Sequence, residues 1–221
     1  MIGKLLSLVK NDIVLFLKSN SKLFNNERDF QVNLAQYLIN TKKYDDVILE
    51  YNIPQGLIHP DENVLKSKEI RIDIVVVKSS EYLPIELKYK TKTINKPLIR
   101  FGEQVSEKTL KNQGAQDLGM YDFWLDVYRL EGLCERFSIV KNGIAIFLTN
   151  DKSYENAPKE KSINYLFSMV EGKKLPKQKY WKQTAKITTN RPGFVVKKEY
   201  SIVWNIAKLE GNEFHFCLLE I

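Results

Sequence analysis

Residues 70–90 read IRIDIVVVKSSEYLPIELKYK, a run of Val, Ile and Leu interrupted by Asp73, Glu86 and Lys88. Its β-branched composition on either side of Ser79-Ser80 predicts two strands and a turn. In a hairpin with an even-length loop centred there, paired residues have numbers summing to 159, which sets Asp73 opposite Glu86 with Cβ atoms roughly 4.5–5.5 Å apart. The two-residue period of a strand adds Lys88 to the same face and turns Ile85, Leu87 and Tyr89 to the other. An odd-length loop or a bulge would break this register. Two opposed carboxylates repel, and burying them unpaired is costly, so something positive should sit between them. One ammonium leaves most of their lone pairs unfilled, whereas a hard divalent cation such as Mg²⁺ takes a few carboxylates plus water and phosphate oxygens. Such an ion activates water and neutralises charge building on a phosphate, with Lys88 orienting or deprotonating the attacking water. The same spacing also describes an exposed hairpin face on which Arg71, Glu86 and Lys88 form a surface charge ladder.

These residues need elements to hold them. Residues 4–18 carry an amphipathic helical pattern, and a second helix starts after Asn26, a plausible N-cap, with Glu27 and Asp29 in its first turn and Phe30, Leu34, Tyr37 and Leu38 as its apolar stripe. DDVILEYNIP predicts a strand ending at Pro54, followed by a loop rich in Gly, Pro and charge. After the hairpin, residues 103–131 read as helical, divided in two at Gly114 and Gly119 and ending near Gly132. GIAIFLTN (143–150) has the continuous apolar character of a buried central strand. The C-terminal residues 199–221 show two β-rich runs around Gly211-Asn212, a second hairpin signal. Helix, three strands, helix, strand in one chain with two hairpins is an α/β domain with a mixed sheet.

Asp73, twelve intervening residues and then Glu86-Leu87-Lys88, on a hairpin that follows a helix bearing Glu27, resembles the PD-(D/E)xK nuclease superfamily. The resemblance covers about residues 27–150 and implies a restriction-endonuclease-like core, α-β-β-β-α-β, in a single domain spanning 1–221 with the C-terminal hairpin as an extension. It implies Asp73 and Glu86 as ligands of Mg²⁺ or Mn²⁺, Lys88 as the residue that orients water or stabilises the transition state, and Glu27 as the additional acid from the first core helix. Ile72 stands where the family's name has Pro. Gln116 and Asp117, on the helix after the hairpin, either line the same cleft or belong to a solvated polar face.

The net charge is +7, but residues 173–198 hold eight Lys and one Arg with no acid, leaving −2 for the remainder. Basic residues interleaved with Tyr180 and Trp181 suit a polyanion, with Lys177, Lys179 and Lys182 on phosphates and Trp181 stacking on bases, although a solvated Lys-rich loop has the same composition. Cys134 and Cys217 are too few and too far apart for a metal knuckle or a disulfide scaffold. With only His59 and His215, a two-His zinc helix or a Ser-His triad lacks parts, and no phosphate-binding glycine loop occurs. No apolar run is long enough to span a membrane. The reading is therefore a cytoplasmic, divalent-metal-dependent nuclease acting on DNA, without a membrane partner. A nucleic-acid-binding protein on the same fold, or a nuclease acting on RNA, are the alternatives. Cutting both strands of a duplex would call for a homodimer, for which the sequence carries no interface signature.

Overall fold

Helix α1 (Lys4–Ser19) and helix α2 (Glu27–Asn40) each bury one stripe, Leu5, Val9, Ile13 and Leu17 on the first and Phe30, Leu34 and Leu38 on the second. The computed structural model describes residues 4–54, 57–58, 69–182 and 190–221. Asn26 caps α2 as expected, its side chain accepting from Asp29 N–H at 2.9 Å. Three strands follow, β1 (Asp46–Pro54), β2 (Glu69–Lys78) and β3 (Glu81–Lys90). Next come a small hairpin of β4 (Leu98–Arg100) and β5 (Glu103–Ser106), helix α3 (Gln116–Arg136) and strand β6 (Ile144–Thr149). Four two-residue strands, β7 (Lys174–Leu175), β8 (Gln178–Lys179), β9 (Phe194–Val195) and β10 (Tyr200–Ser201), precede the final hairpin of β11 (Trp204–Leu209) and β12 (Asn212–Glu220).

Six strands form one mixed sheet in the order β1-β2-β3-β6-β12-β11, antiparallel throughout except for the parallel pair β3-β6. The fully buried β6 alternates between two cores: Ile144, Ile146 and Leu148 pack under α1 and α2, Ala145 and Phe147 under α3. The first hairpin turns at Ser79 and Ser80, both at positive φ (50° and 64°), and pairs Lys78 with Glu81 through to Ile74 with Ile85. The loop is thus even, and the pairing follows the 159 rule. Two serines replace the usual Asn-Gly of such a turn, and Asp45 Oδ2 steadies it by accepting from Ser79 N–H at 2.6 Å.

Two expectations are corrected. Residues 103–131 are not a helix broken at two glycines: 103–106 form a strand, and α3 runs unbroken from Gln116 to Arg136 through Gly119 and Gly132. Gly119 is there for packing, since a Cβ at that position would lie 2.5 Å from the Tyr154 hydroxyl. The C-terminal hairpin is not an extension but part of the main sheet, with β12 beside β6 and a turn at Glu210 and Gly211, both at positive φ. Cys134 and Cys217 are free thiols. Among the described residues, no helix is long and apolar enough to cross a membrane.

Candidate active site at a fork in the sheet

Strands β2 and β3 part company at the residues singled out by the motif. Past Ile85, β3 leaves β2 and pairs only with β6, from Ile85–Ile144 to Lys90–Thr149. Strand β2 stays with β1, yet at Asp73 it turns over: Ile70 and Ile72 face the core under α3, whereas Ile74 and Val76, of the same parity, face α1 and α2. Opposite Asp73, Glu50 is held at φ 53°, a strained conformation for a residue other than glycine, and the β1-β2 ladder skips that one pair. Gln31 fills the gap, its Nε2 donating to the Asp73 carbonyl (2.6 Å) and to Glu50 Oε1 (2.8 Å).

The fork leaves two N–H groups of β3 without a strand to accept them. A buried backbone donor left unpaired costs about 1–3 kcal/mol. Two carboxylates take them instead: Asp73 Oδ2 accepts from Leu87 N–H at 2.8 Å, and Glu27 Oε2 from Tyr89 N–H at 2.9 Å. Both acids thereby gain a fixed orientation toward the opening. Glu86 and Lys88 project from β3 toward α3, where Lys88 Nζ lies 2.5 Å from Asp126 Oδ2. Arg129 holds the other oxygen of Asp126 at 3.1 Å. The structure therefore places Glu27, Asp73 and Glu86 within electrostatic reach of Lys88, and adds Asp126.

Negative charge exceeds positive in this cluster. Burial raises the Asp73 carboxyl above its ordinary range, opposed by the Lys88 ammonium and the Leu87 N–H. Glu86, only 3% exposed, is raised much further by burial and then by the charges of Asp126 and Asp73. Both carboxyls of the pair are thus held above their ordinary values, Glu86 the more strongly. Burial alone would push the Lys88 ammonium down, but Asp126, Glu27, Glu86 and Asp73 together hold it above its ordinary value. Glu86 Oε1 is buried with no hydrogen-bond partner.

Among the described residues, no three or more His, Cys, Asp or Glu side chains converge as a metal-holding group. The donor set nevertheless suits Mg²⁺ or Mn²⁺, because a hard cation of this kind is held by one or two carboxylates and completes its shell with water and phosphate oxygens. Asp73 and the orphaned oxygen of Glu86 supply that pair, and the excess of negative charge around them favours a bound cation.

Asp126 escaped the sequence reading, which weighed Gln116 and Asp117 on the same helix. Those two lie in the first turn of α3, where Gln116 Nε2 donates to Asp151 Oδ2 at 3.1 Å, away from Lys88. The signal for Asp126 was an acid inside the apolar stripe of Phe123, Val127 and Leu130.

The described parts of the basic segment, 173–182 and 190–198, pack onto the fold rather than standing free. Lys179 is fully buried, with Nζ 3.4 Å from the centre of the Trp124 ring and donating to the Leu166 carbonyl at 3.1 Å. Trp181 stacks on Tyr121 at 5.4 Å and donates its indole N–H to the Arg191 carbonyl. Neither can meet a phosphate or a base, which corrects their assignment as nucleic-acid contacts. Lys177 and Lys182 are exposed, the latter with Nζ on the Glu160 carbonyl and 4.1 Å from the Tyr165 ring centre. His59 and residues 183–189 lie outside the described residues. His215 is a strand residue, set between Glu155 (2.9 Å) and Glu213 (3.0 Å). Comparison with protein-family models, curated proteins and solved structures finds no match.

Proposed function

We propose that the chain is a divalent-metal-dependent nuclease that hydrolyses DNA phosphodiester bonds on a restriction-endonuclease-like core. One observation carries the reading: a half-buried and a fully buried carboxyl, the latter with an unpartnered oxygen, face a lysine at a point where the sheet opens. A protein that only bound nucleic acid would gain nothing from that repulsive pair. The observed order α2, β1-β2-β3, α3, β6 agrees with the core implied by the motif.

In this reading Asp73 and Glu86 hold Mg²⁺ or Mn²⁺, which when bound lowers the pKa of a coordinated water and offsets charge on the phosphate. The Leu87 N–H fixes Asp73 so that its carboxylate does not have to reorganise. Lys88, held protonated by its carboxylate neighbours, is a donor and not a base: it orients the attacking water and stabilises the phosphate oxygens as charge builds on them. Asp126 positions Lys88 from the α3 side. Glu27, tied to the Tyr89 N–H, keeps the fork open and adds to the field that keeps Lys88 charged.

The test is cleavage of plasmid and oligonucleotide DNA with Mg²⁺ or Mn²⁺ by wild type, Asp73→Ala and Lys88→Ala. Metal-dependent cleavage by the wild type alone is the expected result. Equal cleavage by all three, or none with either metal, would overturn the assignment.

A further inference from the structure

The chain between β3 and α3 leaves the site as a closed arm. Its base is tied by Gln113 N–H to the Thr91 carbonyl (2.7 Å), by Thr91 Oγ1 to the Lys111 carbonyl (2.9 Å) and by a bridge between Ile94 and Leu110. Beyond that base β4 and β5 pair, and Phe101 and Gly102 make the turn at φ 53° and 85°. Phe101 is 106% exposed, with Ile99 and Val105 also half or more exposed beside it. A phenylalanine at positive φ is strained, and one left in water gains no burial, so neither folding nor solubility accounts for this tip.

Cations line the arm behind it. Lys96, Arg100, Lys108 and Lys111 are exposed along the arm, against Glu103 and Glu107, while Lys92 at its base is paired with Asp151 at 2.8 Å. Arg100 rests on Asn25 Oδ1 and the Ile99 carbonyl, and Lys96 on the Glu210 carbonyl, so these contacts leave their charge uncompensated. The arm also sits beside the site: it begins just past Lys88, and Asn25, which Arg100 touches, lies two residues before Glu27.

Resting on the nuclease reading for its location, we propose that this arm is the element that engages double-stranded DNA: its cations contact the two phosphate backbones and Phe101 enters between adjacent base pairs, unstacking them beside the fork. A narrow two-stranded ribbon fits a groove, and an apolar wedge flanked by cations is the arrangement that opens a base step. A single-strand platform would instead need several aromatic rings in succession, and the arm has one.

The test is binding, in EDTA so that no cleavage occurs, to a duplex carrying 2-aminopurine, which brightens when unstacked. Wild type and Phe101→Trp are expected to brighten the probe. Phe101→Ala should lose the signal and bind roughly 5- to 150-fold more weakly, the range for losing one stacked ring, with its thermal melting unchanged. Ile206→Ala, an exposed apolar residue on β11, should behave as wild type. Lys108→Gln with Lys111→Gln should flatten the salt dependence by about two counterions. Equal brightening by wild type and Phe101→Ala, absence of duplex binding, or an Ala variant altered only in its sedimentation, which would mark a protein-protein surface, would each overturn the proposal. Phe101-dependent brightening without cleavage under any metal would refute the nuclease reading alone. Metal-dependent cleavage with Phe101-independent binding would refute the arm alone.

Discussion

Replacing Lys179 by Met tests the finding that this lysine belongs to the core. Burial pushes its ammonium down to about 7 from the ordinary 10.5, because Nζ has one carbonyl and the Trp124 face for company. Between those two pH values the unfolded chain binds a proton that the folded chain does not, so wild-type stability rises with pH across the window and is flat below it. A depression of 3.5 units at about 1.4 kcal/mol each is about 5 kcal/mol of penalty at pH 6. The cation-π contact with Trp124, worth up to about 2 kcal/mol when desolvated, returns part of that. Lys179→Met, which keeps the unbranched shape, is therefore expected to be more stable than wild type by about 3 kcal/mol at pH 6. The gap should shrink below about 1 kcal/mol near pH 10, where both side chains are neutral. Urea unfolding at pH 6, 7.5 and 10 measures this, and DNA affinity should be unchanged by the substitution. A variant no more stable than wild type at pH 6, or a gap that does not narrow with pH, would refute the reasoning.

Glu86→Gln replaces a carboxyl whose ionised form is opposed by burial and by Asp126 and Asp73, so it should raise the melting temperature in EDTA most at alkaline pH, where the wild-type carboxyl has to ionise, while abolishing both cleavage and the stabilisation that Mg²⁺ gives the wild type; thermal scans across pH with and without Mg²⁺ check it. Asp126→Asn withdraws the largest source of the field on Lys88 and its anchor on α3, so kcat should fall about a hundredfold from loss of positioning, with KM nearly unchanged. The same variant should move the alkaline limb of the pH-rate profile to lower pH, since the Lys88 proton is then less firmly held; a purely structural role for Asp126 would leave that limb in place.

Much of the site was legible because a strand hairpin is arithmetic. A two-residue turn sets the 159 register as far as Ile74 and Ile85, which delivers Asp73 and Glu86 side by side to the point where the strands part, with Lys88 two residues on along β3. Asn26 as a cap and residues 144–149 as a central strand were readable for similarly local reasons. The fork was not, because the turning over of β2 at Asp73 depends on Glu50 and Gln31, which are remote in sequence. Asp126 was hidden because a helical stripe shows which face is buried but not which buried acid meets a cation. Lys179 and Trp181 were misassigned since composition counts charge and rings without showing that Trp124 and Tyr121 would cover them. The helix expected over 103–131 failed at its start, where the Phe101-Gly102 turn at positive φ makes a hairpin out of residues that carry an adequate helical pattern.

The central claim is that the fork is a divalent-metal site, and anomalous diffraction from crystals soaked in Mn²⁺ tests it most directly. The account predicts a peak between Asp73 and Glu86 at roughly 2.0–2.6 Å from an oxygen of each, lost in Glu86→Gln crystals, with Lys88 still on Asp126. A peak elsewhere on the molecule, or carboxylates of Asp73 and Glu86 that stay protonated and metal-free at millimolar Mn²⁺, would contradict it.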